Sequence, residues 1–461
     1  QNVPNSRTKN RQNVPNSRTR TNFFSYLCTQ NVNDMNLIEL EDILRDQKAE
    51  LDLLRQDALI SRPEEDLIDL RSRQAQVVIG VRRSGKSTLC FNALEKAGVN
   101  YAYVNFDDER LAKCRTEHLD LVLEALYRIY DKFEHLFLDE IQNVDGWPLF
   151  VNRLLRQRIH MLITGSNAKL LSTDLATHLT GRHHKIELLP FSFREWCTAK
   201  GVNFDSMTTR NRGLLGREFN EYLHIGGFPE LVYELGNATY ISTLFDNIIN
   251  QDIKNRFNVR NVGELMKMAN HILNETPDCF TQDGLMDISG IKSDHTIMKY
   301  LSYLQQTYLI SQVKKYSRKS RQRSTNEKYY AIDVAFMDKR ENAFAGDNLG
   351  WRLETIVYLE LRRRYAAHGY DIYYHKEKSC ETDFIVCNGN RTICIYQVSY
   401  DISKERTRQR EIRGCLAGAK LTQCDNLYII TDHQRENITV DNKTIKVIPA
   451  YEWLLNASID N

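Results

Sequence analysis

Residues 76–88, QVVIGVRRSGKST, constrain this chain more than any other stretch. A short apolar run enters Gly80-x4-Gly85-Lys86-Ser87 and leaves it into TLCFNALEKA, which has helical spacing. This is the strand, loop and helix order that a Walker A loop requires. Glycines let backbone N–H groups close around phosphates, and the helix that follows presents its positive dipole end. The loop residues Gly80, Arg83, Ser84, Gly85, Lys86, Ser87 and Thr88 are therefore the candidate phosphate-binding set, with Lys86 reaching the β- and γ-phosphates and the Ser87 hydroxyl ligating a metal ion.

A second element fits the first. HLFLDEIQNV (135–144) is an apolar strand ending in two acids: Asp139, placed to hold Mg2+, and Glu140, placed to polarise an attacking water. An acidic pair after a strand is common by itself, but rarer after a Walker A loop and an intervening strand. Further strands are expected at NYAYVNFDD, HMLITGSN and HKIELLPF, with helical stretches near 86–97, 117–131, 148–157 and 168–179. Strands alternating with helices imply a parallel sheet covered on both faces.

The acid pair beside TGSN at the next strand end resembles AAA+ ATPases. That resemblance implies ATP and Mg2+ as ligands, Ser166 or Asn167 as a sensor of the γ-phosphate, and Arg182 in LTGRHHKIEL as a finger for a neighbouring subunit's site. Without such a neighbour, Arg182 reads equally as a surface arginine or a salt-bridge partner. EFNEYLHIGGFPELVYEL (218–235) is similar to the helical lid that follows such cores. There Gly227-Phe228-Pro229 is either an adenine contact or a plain turn between helices. The set GVRRSGKST, VNFDDERL, FLDEIQNVDGW, ITGSNAKLLS, LTGRHHKIELLPFSFREW, GGFPELV and KYYAIDVAF resembles prokaryotic AAA+-type ATPases fused to a C-terminal domain of unknown function, over roughly residues 35–455.

At 461 residues the chain has room for several domains. The expected division is a tail at 1–34, an N-terminal helix at 35–62, the ATPase core at 63–200, a lid at 201–250, a winged-helix domain at 251–338 and a nuclease-like domain at 339–461. QNVPNSRT stands at 1–8 and again at 12–19, a polar direct repeat that resembles upstream or cloning-derived sequence; Met35 is the expected natural start. Formal charge is only +2, so partners must be sought in local clusters. The ten cysteines show no C-x-x-C spacing, which argues against structural zinc and for reduced thiols. No apolar run reaches the ~18–20 residues of a membrane span, so a soluble, cytoplasmic protein with no membrane partner is expected.

Residues 281–332 read as a short helix (Leu285, Ile288, Ile291), a second helix presenting Ile297, Tyr300, Leu301 and Leu304 and capped by Ser293 or Asp294, then strands YLISQVKKY and KYYAID. Helix–turn–helix followed by a hairpin is a winged-helix pattern. The intervening wing holds Lys314, Lys315, Arg318, Lys319, Arg321, Arg323 and Lys328 against the single acid Glu327. It is read either as a grip on double-stranded DNA phosphates or as a solvated hairpin tip on a domain that contacts protein.

From 350 onward a helix carrying Glu354, a strand bearing Asp383 and a strand bearing Gln397-Val-Ser399 resemble the restriction-endonuclease-like α/β fold. That resemblance implies a metal site of an Asp followed by acid-x-Lys on the adjacent strand. Here Gln397 and Ser399 take the second acid and the lysine positions, and only Lys376 or Lys378 is at hand to substitute, so an inert module that binds nucleic acid or protein is expected. The runs RRR (362–364) and KERTRQREIR (404–413) read as solvated helix faces.

The expected fold is thus α/β: a P-loop NTPase (AAA+-like) parallel sheet with helical lid, followed by winged-helix and restriction-endonuclease-like domains. The expected function is Mg2+-dependent ATP hydrolysis coupled to DNA or protein engagement, with homo-oligomer formation open. A nucleotide-gated DNA-binding regulator with negligible turnover, and an ATP-dependent nuclease, are the alternatives.

Overall fold

The structure is a computed structural model that describes residues 35–56, 59–166, 179, 181–206, 208–233, 239–317, 327–338, 348–377 and 380–456. Its first half is built on five parallel strands: β1 (Ala75–Ile79), β2 (Tyr101–Asn105), β3 (His135–Asp139), β4 (His160–Gly165) and β5 (His183–Glu187), in the spatial order β2-β3-β4-β1-β5. Every residue of β1 and β3 is buried, as expected of strands covered on both faces, whereas the edge strand β5 buries only Ile186. Helices Lys86–Ala97, Leu119–Tyr130 and Trp147–Arg156 fall where periodicity places them; the stretch expected at 168–179 lies almost wholly outside the described residues.

The N-terminal helix Leu37–Leu54 begins at a reciprocal cap, Glu39 N–H donating to Asn36 Oδ1 at 3.0 Å. It lies on the core rather than apart from it. The Gln47 amide donates to Asn105 O and accepts from Asn105 N–H, each at 3.0 Å, which satisfies the open edge of β2. After β5 the chain forms helices Phe193–Ala199, Thr209–Ile225, Pro229–Tyr233 and Tyr240–Asn247, the last running on as a π-helix through Ile248–Asn255.

Next come helix Val262–Glu275, the short strand β6 (Asp278–Cys279), helices Gln282–Ser289 and Asp294–Gln306, and the hairpin of β7 (Ile310–Lys315) and β8 (Lys328–Ala331). Ile297, Tyr300, Leu301 and Leu304 are buried as the pattern requires. Ile288, expected inside, is 46% exposed, because the helix turns Leu285 and Ser289 inward and Ile291 fills the core from beyond its end. Ser293 holds the cap position of the second helix without a side-chain bond to it.

The C-terminal unit follows as helix Leu349–Arg364, the antiparallel strands β9 (Asp371–Lys376), β10 (Glu381–Asn388) and β11 (Arg391–Val398), helix Glu405–Thr422, and strands β12 (Leu427–Thr431), β13 (Glu436–Val440) and β14 (Lys443–Pro449). β12 lies parallel to β11 and to β14. Hairpin and C-terminal unit share one nine-stranded sheet, β13-β14-β12-β11-β10-β9-β7-β8-β6, joined where β7 pairs in parallel with β9 through Lys314–Tyr373 and Lys315–Tyr374.

Two basic features differ from expectation. The arginines at 362–364 are not a solvated face. Arg362 pairs with Glu187 of β5 at 2.6 Å, Arg363 donates to Pro190 O at 2.7 Å, and Arg364 pairs with Glu360 at 2.8 Å and donates to Trp453 O at 2.5 Å. Arg362 and Arg363 tie helix Leu349–Arg364 to the five-stranded core, Arg364 ties it to the last described helix, and each has lost solvent for a fixed acceptor. Lys328 is not on the wing surface either, since its side chain is 6% exposed and faces carboxylates of the C-terminal unit. Such a buried ammonium is unavailable to DNA phosphate. Lys314 is exposed and Lys315 half-buried; Arg318, Lys319, Arg321 and Arg323 lie outside the described residues. No described helix is long and apolar enough to cross a membrane, and the nine described cysteines are free thiols.

Candidate nucleotide site

The loop after β1 sits at the carboxyl end of the sheet. Its turn demands positive φ at Arg83 (67°) and Gly85 (90°), and the second of these values suits glycine. Lys86 opens the following helix, and burial leaves its side chain 4% exposed. The Lys86 ammonium donates to Val81 O at 3.1 Å and stands 3.4 Å from Glu140 Oε1. The Ser87 hydroxyl donates to Asp139 Oδ1 at 2.9 Å. The two motifs, 52 residues apart, therefore meet side chain to side chain.

Both acids are held from several directions. Asp139 accepts from Ser87, from the Thr164 hydroxyl and, at 3.3 Å, from the Tyr103 hydroxyl. Burial first, then the neighbouring Glu140, push its carboxyl up to about 6, against the Thr164 and Ser87 hydrogen bonds and Lys86. Glu140 has a left-handed backbone (φ 50°), which its neighbours fix: its N–H donates to Thr164 Oγ1 at 3.0 Å, and its carboxylate accepts from Ser166 N–H at 3.0 Å and from the Gln142 amide. Burial alone would raise its pKa; Lys86, Gln142, Arg82 and the Ser166 N–H outweigh that and hold it below the usual carboxylate value.

Ser166 thus lies beside Glu140, with its hydroxyl 3.4 Å from Gln142 Nε2, while Asn167 lies outside the described residues. Arg182 is not brought to this cluster. It precedes β5, which runs parallel to β1, so it lies at the opposite end of the sheet from the loop, donating to Asn152 Oδ1 at 3.0 Å. Arg83 pairs with Glu230 of helix Pro229–Tyr233 at 2.9 Å, and Thr88 lines a separate cavity next to the loop. That cavity measures about 330 Å³; Leu59, Ile60, Leu89, Phe191, Pro229 and Tyr233 supply most of its wall.

Several residues went unnoticed in the sequence. Arg82 makes a two-pronged pair with Asp252 of the π-helix, both contacts at 3.2 Å, and reaches Asp107 at 3.0 Å. Arg62 spans from Ser84 O (3.0 Å) to Leu189 O (2.9 Å) and Glu195 (2.5 Å), bracing the loop from beneath. Asp333 is 2% exposed and accepts from Gly227 N–H at 2.8 Å and Ala335 N–H at 2.9 Å, so KYYAIDVAF anchors the Gly227-Phe228-Pro229 turn. Thr164 carried one signal, a polar residue inside an apolar strand.

Comparison with known proteins agrees with this geometry at the level of the fold. Residues 72–197 match the model of the AAA domain, and residues 216–343 match a domain of unknown function (DUF8612). The DnaA of Aquifex aeolicus, bound to AMPPCP, shares 16% identity at a TM-score of 0.26, covering 52% of this chain and 85% of its own. The RuvB Holliday junction branch migration motor of Thermotoga maritima shares 15% at a TM-score of 0.27, covering 58% and 89%. Likeness at that level is slight. The uncharacterised protein MJ1544 of Methanocaldococcus jannaschii is 33% identical over 433 residues, 91% of this chain and 95% of its own. An uncharacterised protein of Haemophilus influenzae is 32% identical over 422 residues, 86% and 99% respectively. With nearly full-length matches at this identity, the chain belongs to the family of these two uncharacterised proteins, and it carries an AAA domain followed by the domain of unknown function.

Proposed function

We propose that this chain is an ATPase: it binds ATP with Mg2+ at the loop 80–88 and hydrolyses it. The observation that carries the reading is the meeting of Ser87 with Asp139 and of Lys86 with Glu140 at the carboxyl end of a parallel sheet. A hydroxyl beside a carboxylate is an oxygen donor set suited to a hard dication. Ser87 and Asp139 would hold Mg2+, which supplies neutralisation of phosphate charge. Lys86 exchanges its contacts with Val81 O and Glu140 for phosphate oxygens. Glu140, thereby released from Lys86, orients and polarises the attacking water, and Ser166 and Asn167 would register the γ-phosphate. The cavity of Leu59, Ile60, Leu89, Phe191, Pro229 and Tyr233 is apolar enough to take the base. Arg182, remote from its own loop, would serve a neighbouring copy.

The order helix, β6, helix, helix, β7, β8 supports a winged-helix unit, and helix, β9-β10-β11, helix, β12 supports a restriction-endonuclease-like one. We infer that these units engage duplex DNA or protein in response to nucleotide, with Lys314 and Lys315 the described residues placed to meet phosphate. One observation favours a slower, switch-like variant of this function: Glu140 is held by Lys86, Gln142 and the Ser166 N–H rather than free.

Steady-state ATP hydrolysis, with and without duplex DNA, tests the proposal against Glu140→Gln and Lys86→Ala. Turnover that falls ~10²–10³-fold in Glu140→Gln while ATP still binds supports it. Undiminished ATP affinity in Lys86→Ala sinks it. ATP binding without turnover in the wild type favours the switch.

A further inference from the structure

The loop 80–88 carries three cations, Arg82, Arg83 and Lys86, and each is matched by a carboxylate from another part of the chain. Lys86 faces Glu140. Arg83 pairs with Glu230 at 2.9 Å, but in the open, with 61% of the arginine side chain exposed. Arg82 alone is held from two sides. Its guanidinium meets both oxygens of Asp252, at 3.2 Å each, and reaches Asp107, just after β2, at 3.0 Å. Side-chain exposure falls to 24% for Arg82 and 11% for Asp252, so this pair is largely out of solvent. Salt screens such a pair little, and a competing partner must bring comparable charge to break it.

Position matters as much as pairing. Arg82 lies between Gly80 and Gly85, inside the run whose backbone N–H groups would close around phosphates. Against burial, which alone would raise the Glu140 pKa, the charge of Arg82 joins that of Lys86 in holding it down. The arginine therefore stands on the side of the site where Glu140 would meet water. Asp252 belongs to the π-helix Ile248–Asn255, a rare helical form found mostly at functional sites. Burial pushes its carboxyl up, against the pull of Arg82 and with the help of Glu140. Four residues on, Arg256 donates to Gln142 O at 3.3 Å, and the Gln142 amide in turn holds the Glu140 carboxylate. The π-helix and its cap thus grip both halves of the site, the loop through Arg82 and the acid pair through Gln142.

We propose that Arg82 is the arginine that meets the γ-phosphate, and that Asp252 and Asp107 hold it aside until ATP draws it off. The inference rests on the ATPase reading above. It adds a positive charge that the chain supplies to its own site, whatever Arg182 does for a neighbouring copy. A nucleoside diphosphate leaves the γ position empty, so Arg82 then stays with Asp252. The π-helix is accordingly released from the loop by ATP and recaptured once phosphate has left.

ATP and ADP affinities and steady-state turnover of the full-length protein with Mg2+ are the test. A wild type that binds no ATP ends the ATPase reading and this inference with it; the failures that follow touch the inference alone. Asp252→Asn keeps the shape and removes the charge, so it should tighten ATP about 5-fold or more while ADP changes less than about 2-fold. An Asp252 that only braced the lid predicts the opposite sign, weaker binding of both nucleotides. Arg82→Gln should lower turnover ~10³-fold with ADP still bound. Because that variant strands Asp252, the double variant Arg82→Gln with Asp252→Asn removes both charges and should stay equally slow. Equal tightening of ATP and ADP by Asp252→Asn overturns the proposal, and so does a double variant that regains wild-type turnover. Where the wild type binds ATP without turning it over, the comparison of ATP with ADP decides alone.

Discussion

Two places in this molecule set a buried lysine against carboxylates, and they are built in opposite ways. At the loop 80–88, Lys86 and the acids Asp139 and Glu140 come from one unit, at the carboxyl ends of two strands of the same sheet, and the lysine's contacts, a carbonyl at 3.1 Å and a carboxylate at 3.4 Å, are loose enough to exchange. At the C-terminal unit, Lys328 comes from the neighbouring hairpin and makes two contacts of 2.8 Å, with Glu354 and Glu381, both shorter than either contact of Lys86. The first lysine is the one we propose gives up its contacts to a ligand. The second is already satisfied, and its satisfaction holds two units together. Burial and charge pairing alone therefore do not identify a ligand site; what separates the two is whether the partner acids have another use.

The largest effects should divide the two lysines cleanly. Lys328→Met should lower unfolding free energy by ~3–5 kcal/mol, the usual cost of orphaning buried charge, whereas Lys86→Met should change it by less than ~1 kcal/mol and abolish ATP binding instead. Denaturant melts beside nucleotide titrations check this, and equal stability losses would end the distinction. Next in size, converting the acids as well, in Lys328→Met with Glu354→Gln and Glu381→Gln, should recover ~2 kcal/mol of that loss, because no unpaired charge is left. A triple variant no more stable than the single one would mean Lys328 acts by packing.

Arg362→Met tests the seam with the core. It leaves Glu187 without its partner and should cost ~2–3 kcal/mol in the same melts; a loss below ~0.5 kcal/mol would return the arginines to a solvated face. The smallest effect concerns Asp139. Its native carboxyl titrates at about 6 against 3.8 for a free aspartate, so the folded state holds the extra proton between those values. Its contribution favours folding below pH 3.8 and is lost as pH rises through 6. In chelator at pH 8, Asp139→Asn should therefore stabilise the protein by ~1 kcal/mol, with no gain at pH 4. A destabilised variant at pH 8 would mean that the Ser87 and Thr164 hydrogen bonds outweigh the cost of burial.

The same contrast explains what could be read from the sequence. The phosphate loop, the acid pair and the core strands and helices around them are contiguous runs whose periodicity and end signals are local, and β1 to β5 lie where those runs predict. Lys328 was misread because a cluster of basic residues was treated as one surface. Period-two alternation from Tyr330, which is fully buried, would have placed Lys328 on an inward face. The arginines at 362–364 follow Ile356, Val357, Tyr358, Leu359 and Leu361, a run with apolar residues on most sides of the helix, which is the mark of a buried stretch. Asp252, Arg62 and Asp333 gave no such sign, since each matters through a partner that only the folded chain brings near.

The two-residue ladder between β7 and β9 has a consequence for how this protein can be divided. A cut after residue 338 would leave β7 and β9 as bare sheet edges, each with unpaired N–H and C=O groups and apolar neighbours. Either half expressed alone would present a template for pairing with a second copy. The chain is modular in its sequence blocks but indivisible at this seam, and fragments made by cutting there should be sticky where the whole protein is not.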